Sequence, residues 1–282
     1  MTRASGASTR TSPVSALKAS EMVWHDNWYD QNARKEFPES AAEFREFFSR
    51  VQLEPFCNGG WAYWGDARTE MMRLIGNVRG LRVLDYGCGS GQLGIYLSML
   101  GAEVSGFDLS PKGIEVANWA AQRYGLRCSF RAMDAEELDY PADSFDLVVG
   151  FGVLHHVVKY PKSASHLARV LKPRGRAIFH ETLWDNPLIN LARRWTVPSQ
   201  DAGDTHLTGG AIEEFGAPFA VTKVHKRHIL YMLKRFANLP TRDLSKPLAS
   251  RPFWKAIRAI DRGLMCLGLS RFCGEAIVAY QK

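Results

Sequence analysis

Residues 82–91 read Arg-Val-Leu-Asp-Tyr-Gly-Cys-Gly-Ser-Gly, a short apolar strand that enters an acid and then three glycines at alternate positions. A helical pattern follows at once. Val83 and Leu84 suit a buried parallel strand, and the glycines allow a tight turn in which a ligand lies against bare backbone at a helix N-terminus. The stretch therefore predicts a site for an adenosine-bearing cofactor.

Two classes of cofactor compete for this loop. From Gly89 the chain also spells Gly-x-Gly-x-x-Gly, with Gly91 and Gly94, the dinucleotide fingerprint that grips a pyrophosphate. However, Asp85 precedes Gly87 by two residues, and a carboxylate beside the ligand repels a pyrophosphate but attracts an ammonium group. S-adenosylmethionine (SAM) carries an ammonium and a sulfonium and no phosphate, so Asp85 favours SAM.

The next segment, Glu103-Val-Ser-Gly-Phe-Asp108, reads as a second strand that ends in an acid. It follows the glycines by about twenty residues, the spacing of a carboxylate that binds ribose hydroxyls. Asp108 is expected to take that role. Ser110 suits the N-cap of a following helix, Pro111 its first position and Gly125 its end. The order is therefore strand, glycine loop, helix, strand, helix, which indicates an α/β protein.

With these motifs the chain resembles the class I SAM-dependent methyltransferases, in particular their small-molecule "type 11"-like members, over about residues 60–183 and the final strand. Arg174 departs from the family pattern, in which glycine is commoner, while Gly175 keeps the turn. The resemblance implies a Rossmann-like, seven-stranded, mostly parallel sheet with helices on both faces. The further motifs that carry it are the third-strand exit, the fourth strand with its helix, and a helix-to-strand turn, at residues 130–136, 144–157 and 169–175.

The resemblance also implies which residues contact the cofactor. Asp134, at the third-strand exit, is expected to receive the adenine amino group. Cys88 lies in the glycine loop, and we interpret it as a small side chain under the cofactor rather than a reactive nucleophile. The predicted SAM-binding residues are Asp85, Gly87, Cys88, Gly89, Gly91, Asp108, Leu109, Met133, Asp134, Ala135 and Phe151.

The implied reaction moves the sulfonium methyl to an acceptor. Holding the acceptor close and aligned lowers the activation barrier by about 7 to 11 kcal/mol. A general base is needed only for a protonated acceptor. The candidates near the expected strand ends are His155, His156, Glu181 and His206. Adjacent helical residues point about 100° apart, so at most one of the neighbouring histidines faces the methyl easily. No metal is expected, because the histidines are scattered and lack clustered acid ligands.

Composition divides the chain into segments. Residues 1–20 contain three basic residues, no acid and many Ser, Thr and Ala, which predicts a disordered tail. A mitochondrial transit peptide shares this character, but no clear amphipathic helix is visible. Aromatic residues then predict a helical cap over 21–60, with Tyr63, Trp64 and Trp184 in the substrate pocket. The remaining segments are the SAM-binding core (61–183), an acceptor-side loop, helix and strand (184–228), a basic helical insertion (229–272) and the last strand (273–282).

Charge is unevenly distributed along the chain. Residues 1–222 have a net charge of −3, whereas residues 223–282 hold 13 Lys/Arg and 3 Asp/Glu, net +10. Residues 248–272 predict an amphipathic helix with apolar residues opposite a basic stripe. Such a helix could lie on an anionic membrane surface or receive an acidic or lipid-linked substrate. The alternative is an ordinary surface helix with a solvated basic face. The stripe consists of Arg251, Lys255, Arg258 and Arg262.

Bulk properties limit the class of protein. With 282 residues, of which 46% are apolar, the chain can bury a sizeable core. It contains no run of about twenty apolar residues and no signal-peptide core. Its five cysteines are odd in number and lack metal-type spacing, which indicates reduced thiols. A cytoplasmic protein is expected, with peripheral membrane contact through residues 248–272 as an option.

Three hypotheses for function remain at this stage. The first is a SAM-dependent methyltransferase acting on an oxygen, less readily a nitrogen or carbon, of a small-molecule, natural-product or lipid-linked acceptor. The others are an NAD(P)-dependent oxidoreductase and a non-catalytic SAM-binding protein. Nucleic acid is disfavoured as a partner. Asn186-Pro187 follows the fifth strand, whereas the signature of base-methylating enzymes belongs after the fourth, and the chain has no RNA-binding module.

Overall fold

A seven-stranded sheet runs through the chain in the computed structural model, which describes residues 13–53, 65–188, 190–191, 206–230 and 252–282. The strands are β1 Arg82–Tyr86, β2 Glu103–Asp108, β3 Ser129–Ala132, β4 Phe145–Phe151, β5 Leu171–Thr182, β6 Val221–Arg227 and β7 Glu275–Gln281. Their order across the sheet is β3-β2-β1-β4-β5-β7-β6. β7 is antiparallel to both neighbours and the other pairs are parallel, so the predicted fold class is confirmed.

Helices cover both faces of this sheet. They are α1 Pro13–Asn32, α2 Ala41–Leu53, α3 Gly65–Ile75, α4 Gln92–Met99, α5 Pro111–Arg123, α6 Leu154–Val157, α7 Ser163–Val170, α8 Gly209–Phe215 and α9 Pro252–Cys266. Two short 3-10 helices cover Ala33–Glu36 and Leu269–Phe272. None of the helices in the described part of the chain is both long and apolar enough to cross a membrane.

The central strands are buried on both sides, because successive side chains of a strand point to opposite faces. Val83 of β1 packs in one apolar cluster with Ile95 of α4, while Leu84 packs in the other with Leu167 of α7. All four side chains are fully buried. This burial explains why Val83 and Leu84 of β1, and Val148 and Val149 of β4, are consecutive apolar residues, as is typical of parallel strands.

The N-terminal segment differs from the prediction. α1 begins at Pro13, so the expectation of a disordered tail up to residue 20 is wrong for residues 13–20. Proline suits the first turn of a helix because its missing N–H is not needed there. The decisive contacts are tertiary: Lys18 forms ion pairs with Asp134 and Glu136, which composition alone does not reveal.

The predicted basic helix ends earlier than expected. In place of one continuous helix to residue 272, α9 ends at Cys266 and a separate 3-10 turn covers Leu269–Phe272. Asp261 is 2% exposed and accepts a hydrogen bond from the backbone N–H of Ile229 at 3.1 Å. This contact fixes α9 to the chain just after β6.

Parts of five predicted segments lie outside the described residues. They are residues 1–12 of the tail, 54–60 of the cap, 61–64 of the SAM-binding core with Tyr63 and Trp64, 189 and 192–205 of the acceptor-side segment, and 231–251 of the basic insertion with Arg251. The side chain of Lys255 also lies outside the described part.

Candidate active site

The glycine loop connects β1 to α4 and borders, through Gly87, a cavity at the carboxyl ends of β1, β2 and β4. Gly87 lines this cavity and has a φ of +63°. A Cβ atom at this position would collide with the side chain of Val153. A glycine is therefore required at position 87 both by its left-handed conformation and by the lack of space.

Asp108, the last residue of β2, ties this loop to the next helix. Its Oδ2 accepts a hydrogen bond from the Gly89 N–H at 2.8 Å and its Oδ1 accepts one from the Ser110 N–H at 2.9 Å. Burial raises the pKa of Asp108, while these two backbone hydrogen bonds act in the opposite direction. Asp108 also lines the cavity, so one side chain both shapes the loop and faces the ligand site.

Asp85 lies beneath the loop rather than in the cavity wall. It is 2% exposed, and its Oδ2 accepts a hydrogen bond from the Gly94 N–H in the first turn of α4 at 2.8 Å. Burial raises the pKa of Asp85 to about 7. The expectation that this carboxylate faces the cofactor is therefore wrong for the described cavity, because α4 turns its helix N-terminus toward Asp85.

Three more predicted cofactor residues also lie outside the cavity wall. Cys88 packs against Gly106, and burial raises the pKa of its thiol well above the usual range, which agrees with a packing role. Gly91 contacts Ala117, and Gly89 faces the Tyr29 hydroxyl. The other predicted residues line the cavity: Gly87, Asp108, Leu109, Met133, Asp134, Ala135 and Phe151.

The cavity has a volume of about 140 Å³, and α1 forms its roof. The sequence analysis missed this role of α1. The signal was present, since the four roof residues are spaced by three or four along the chain and so share one helix face. The residues of α1 that line the cavity are Lys18, Glu21, His25 and Tyr29.

Lys18 joins the roof to the wall predicted to hold adenine. Its Nζ lies 2.6 Å from Asp134 Oδ2 and 2.7 Å from Glu136 Oε2. The same ammonium lies 4.4 Å from the centre of the Tyr160 ring, within the range of a cation–π interaction. Burial lowers the pKa of Lys18, but the hydrogen bonds to the two carboxylates outweigh it and raise that pKa overall.

Two further acids of α1 hold the roof. Glu21 is 5% exposed, forms an ion pair with Lys159 and accepts a hydrogen bond from the Tyr160 hydroxyl at 3.1 Å. Asp26 accepts hydrogen bonds from the Ser110 hydroxyl and from the backbone N–H of Lys112, at the start of α5. Polar contacts therefore fix α1 over the carboxyl ends of the strands.

The two neighbouring histidines of α6 occupy different surroundings. His156 lines the cavity, and burial, followed by the nearby His155, His25 and Lys159, lowers the pKa of His156 to about 2. It is therefore neutral at physiological pH. The His155 side chain points to β5 instead, where its Nδ1 lies 2.8 Å from Glu181 Oε2.

Glu181 lies inside β5 near its end and has no exposed surface. Its Oε1 accepts hydrogen bonds from the backbone N–H groups of Val153 and Leu154 at 2.7 and 2.6 Å. The expectation that Glu181 acts directly as a base is wrong, because a carboxylate buried in this way cannot reach an acceptor. The structure instead brings Glu181 and His155 together as a pair.

The remaining candidates lie on the acceptor side, after β5. Trp184 and His206 stack on each other with ring centres 3.6 Å apart and planes 20° apart, and neither lines the described cavity. The sequence analysis did not single out His180. Its ring stacks on the ring of Phe151, with the ring centres 4.4 Å apart. Its Nε2 lies 2.9 Å from Glu275 Oε1 of β7, and both side chains are 1% exposed.

Comparison with known proteins identifies the class of this domain. Residues 83–175 match a family model described as a methyltransferase domain, and this range contains the glycine loop, Asp108, Asp134 and α6. The chain therefore carries a domain of the class I SAM-dependent methyltransferases, whose cofactor is SAM.

Among individual proteins, the chain is 37% identical over 98 residues to the ubiquinone biosynthesis O-methyltransferase of Agrobacterium fabrum. The match covers 35% of this chain and 39% of that relative, so the chain spans less than half the length of this curated relative.

Solved structures show the same fold. A SAM-dependent methyltransferase from Mesorhizobium loti has a TM-score of 0.52 at 21% identity, covering 78% of this chain and 97% of that chain. The [4+2]-cyclase SpnF has a TM-score of 0.52 at 22% identity, covering 80% of this chain and 85% of its own. Because a cyclase shares the fold, the fold alone does not define the reaction.

Proposed function

We propose that this chain is a methyltransferase that moves a methyl group from SAM to an oxygen atom of a small-molecule acceptor, with S-adenosylhomocysteine as the second product. The observation that carries the proposal is the coincidence of the methyltransferase domain at residues 83–175 with the cavity under α1. Seven of the predicted cofactor residues line that cavity.

The cavity wall suits SAM chemically. Asp108 supplies carboxylate oxygens for the ribose hydroxyls, and Gly87 leaves bare backbone for a close approach. Asp134 Oδ1 accepts a hydrogen bond from the Glu136 N–H at 2.9 Å and Oδ2 accepts one from Lys18 Nζ at 2.6 Å, so each oxygen keeps one acceptor site for the adenine amino group. When bound, SAM supplies an electrophilic methyl group. The residues of the chain have to position the acceptor and exclude water.

The relatives support oxygen as the accepting atom, because they are named O-methyltransferases of ubiquinone biosynthesis. We infer a hydroxylated aromatic ring as the acceptor, with an apolar or lipid tail as an option. A panel of alkylcatechols and hydroquinones, incubated with the purified chain and SAM, tests this. Mass spectrometry should detect a methyl ether and S-adenosylhomocysteine in equal amounts.

This turnover assay, combined with calorimetric titration of SAM, NAD(H) and NADP(H), separates the alternative functions. Calorimetric binding of SAM without turnover on any hydroxylated, amine or thiol acceptor would support a non-catalytic SAM-binding protein. Binding of NAD(H) or NADP(H) in place of SAM would support the oxidoreductase hypothesis. Methylation of an amine alone would retain the enzyme class and refute oxygen as the acceptor.

We also propose peripheral contact with an anionic membrane through α9 and the turn after it. Phe253, Ile260 and Leu267 are 63%, 49% and 77% exposed, and their seven-residue spacing places them on one side of this segment. Arg262, also on α9, is exposed and adds positive charge. An apolar stripe with nearby basic residues is typical of helices that lie at a bilayer surface.

Replacing these three apolar residues with serine should abolish sedimentation with phosphatidylglycerol vesicles, because the apolar area that enters the bilayer is lost. The exposed Val221 lies on β6 away from α9, so Val221→Ser is a matched control that should retain binding. Absence of vesicle binding by the parent chain would refute the membrane proposal and leave the methyltransferase proposal intact.

A further inference from the structure

His155 and His156 are adjacent in sequence and differ in what surrounds them. Burial, together with His155, His25 and Lys159, opposes the formation of an imidazolium at His156. The carboxylate of Glu21 has its Oε1 atom 4.0 Å from Nδ1 of this ring, but that oxygen is already paired with Lys159. His155 is hydrogen-bonded to a carboxylate, which stabilises the imidazolium that forms when the ring takes a proton. Of the two rings, only His155 therefore has an environment suited to proton transfer.

Glu181 fixes which nitrogen of His155 can accept a proton. The backbone N–H groups of Val153 and Leu154 donate to Oε1 of this carboxylate, so Oε1 is an acceptor. The Oε2 atom lies 2.8 Å from His155 Nδ1, and an ionised carboxylate can only accept there, from the Nδ1–H. With Nδ1 protonated, the lone pair of the neutral ring is on Nε2.

The position of His155 is suitable for contact with an acceptor. Its side chain is 22% exposed, whereas Glu181 has no exposed surface. The His155 ring lies 4.1 Å from the His156 ring, measured between centres, and His156 lines the cofactor cavity. His155 therefore lies one ring away from that cavity, on the side of β5, after which the acceptor segment begins.

We propose that His155 is the catalytic base of the methyl transfer and that Glu181 is its positioning residue. This inference rests on the proposed function. The O–H bond of the acceptor breaks and its proton moves to Nε2 of His155. The oxygen electron pair forms the bond to the methyl carbon while the carbon–sulfur bond breaks, which leaves a methyl ether, S-adenosylhomocysteine and an imidazolium. The imidazolium later releases its proton to water.

The pair also defines the class of acceptor. A base of this kind accelerates transfer only when the accepting atom holds a proton at the working pH, as the hydroxyl of a phenol or catechol does. A carboxylate, or a phenol that is already ionised, does not need it. We therefore assign to this site an acceptor whose hydroxyl is protonated at the working pH, which for the hydroxylated ring of the proposed function is an un-ionised phenol or catechol.

The first test needs neither SAM nor acceptor. Long-range proton–nitrogen spectra of histidine-labelled protein, with His155 assigned from the His155→Gln variant, should show a protonated Nδ1 and an unprotonated Nε2. In Glu181→Gln the side-chain oxygen can still accept from the backbone, while its amide donates to Nδ1, so the tautomer should reverse. A protonated Nε2 in the neutral parent protein, or an unchanged tautomer in Glu181→Gln, overturns the proposal.

The second test compares two acceptors. His155→Gln should slow transfer to an alkylcatechol by about 100- to 10,000-fold, and transfer to nitrocatechol, which is mostly ionised at pH 8, far less. Glu181→Gln should lower kcat on the alkylcatechol with little change in KM. His156→Gln is the control, and it should lack this selective loss. Equal losses of His155→Gln on both acceptors overturn the proposal, whereas absence of turnover in the parent chain instead refutes the proposed function.

Discussion

Asp108→Ala is expected to weaken SAM binding by about 10- to 150-fold, equivalent to about 1.5 to 3 kcal/mol for a hydrogen bond to a charged group. The carboxylate lines the cavity and also accepts hydrogen bonds from the Gly89 and Ser110 N–H groups. Its removal therefore deletes the proposed ribose contact and loosens the loop that approaches the cofactor. Calorimetric titration with SAM measures the change.

A matched control separates this effect from a general change of charge. Asp139 has a side chain that is 88% exposed and does not line the cavity, so Asp139→Ala removes the same functional group outside the site and should leave SAM affinity unchanged. Asp108→Asn retains one oxygen acceptor and should show an intermediate loss. If Asp108→Ala bound SAM as tightly as the parent chain, the assignment of Asp108 as the ribose carboxylate would be wrong.

Gly87→Ala should lower the free energy of unfolding by about 2 to 5 kcal/mol and reduce SAM binding strongly. About 1 to 2 kcal/mol comes from a side chain in the left-handed region, and about 1 to 3 kcal/mol from overpacking against Val153. The new methyl group would collide with a β-branched side chain that is 7% exposed. Chemical denaturation and SAM titration measure the two effects.

Gly125 offers a close control for this substitution. Its φ is +65°, against +63° for Gly87, and a Cβ atom there would meet nothing within 4 Å. Gly125→Ala should therefore show only the conformational cost and normal SAM binding. Adding Val153→Ala to Gly87→Ala should recover part of the lost stability. Equal destabilisation by Gly87→Ala and Gly125→Ala would show that the contact with Val153 has no energetic role.

Local patterns were sufficient to predict the cofactor half of the fold. β1 and β2 have the bounds expected from the motif at residues 82–91 and the segment ending at Asp108. Ser110 caps α5, with its hydroxyl accepting a hydrogen bond from the Gly113 N–H at 3.0 Å, as predicted. These features depend on residues that are close in sequence, so apolar periodicity, glycine positions and capping residues carry them.

The direction in which each site residue faces was harder to predict. The same motif that correctly located the loop led to the wrong expectation for Asp85. Its carboxylate is turned to the N-terminus of α4 rather than to the cavity, since the Gly94 N–H needs an acceptor there. The motif locates Asp85 near the end of β1. The direction of its side chain depends instead on how the next helix packs against the strand.

The sequence by itself therefore determined the class of domain, the strand–loop–helix order and the place of the cofactor loop, because each is encoded within a few tens of residues. Only the tertiary structure decided how distant groups meet. Lys18 reaches Asp134 across 116 positions, and His180 reaches Glu275 across 95 because β7 inserts beside β5. The pairing of His155 with Glu181 likewise requires β4 and β5 to be neighbours. Such contacts depend on strand order and helix packing, which bring together residues whose separation along the chain carries no periodic signal.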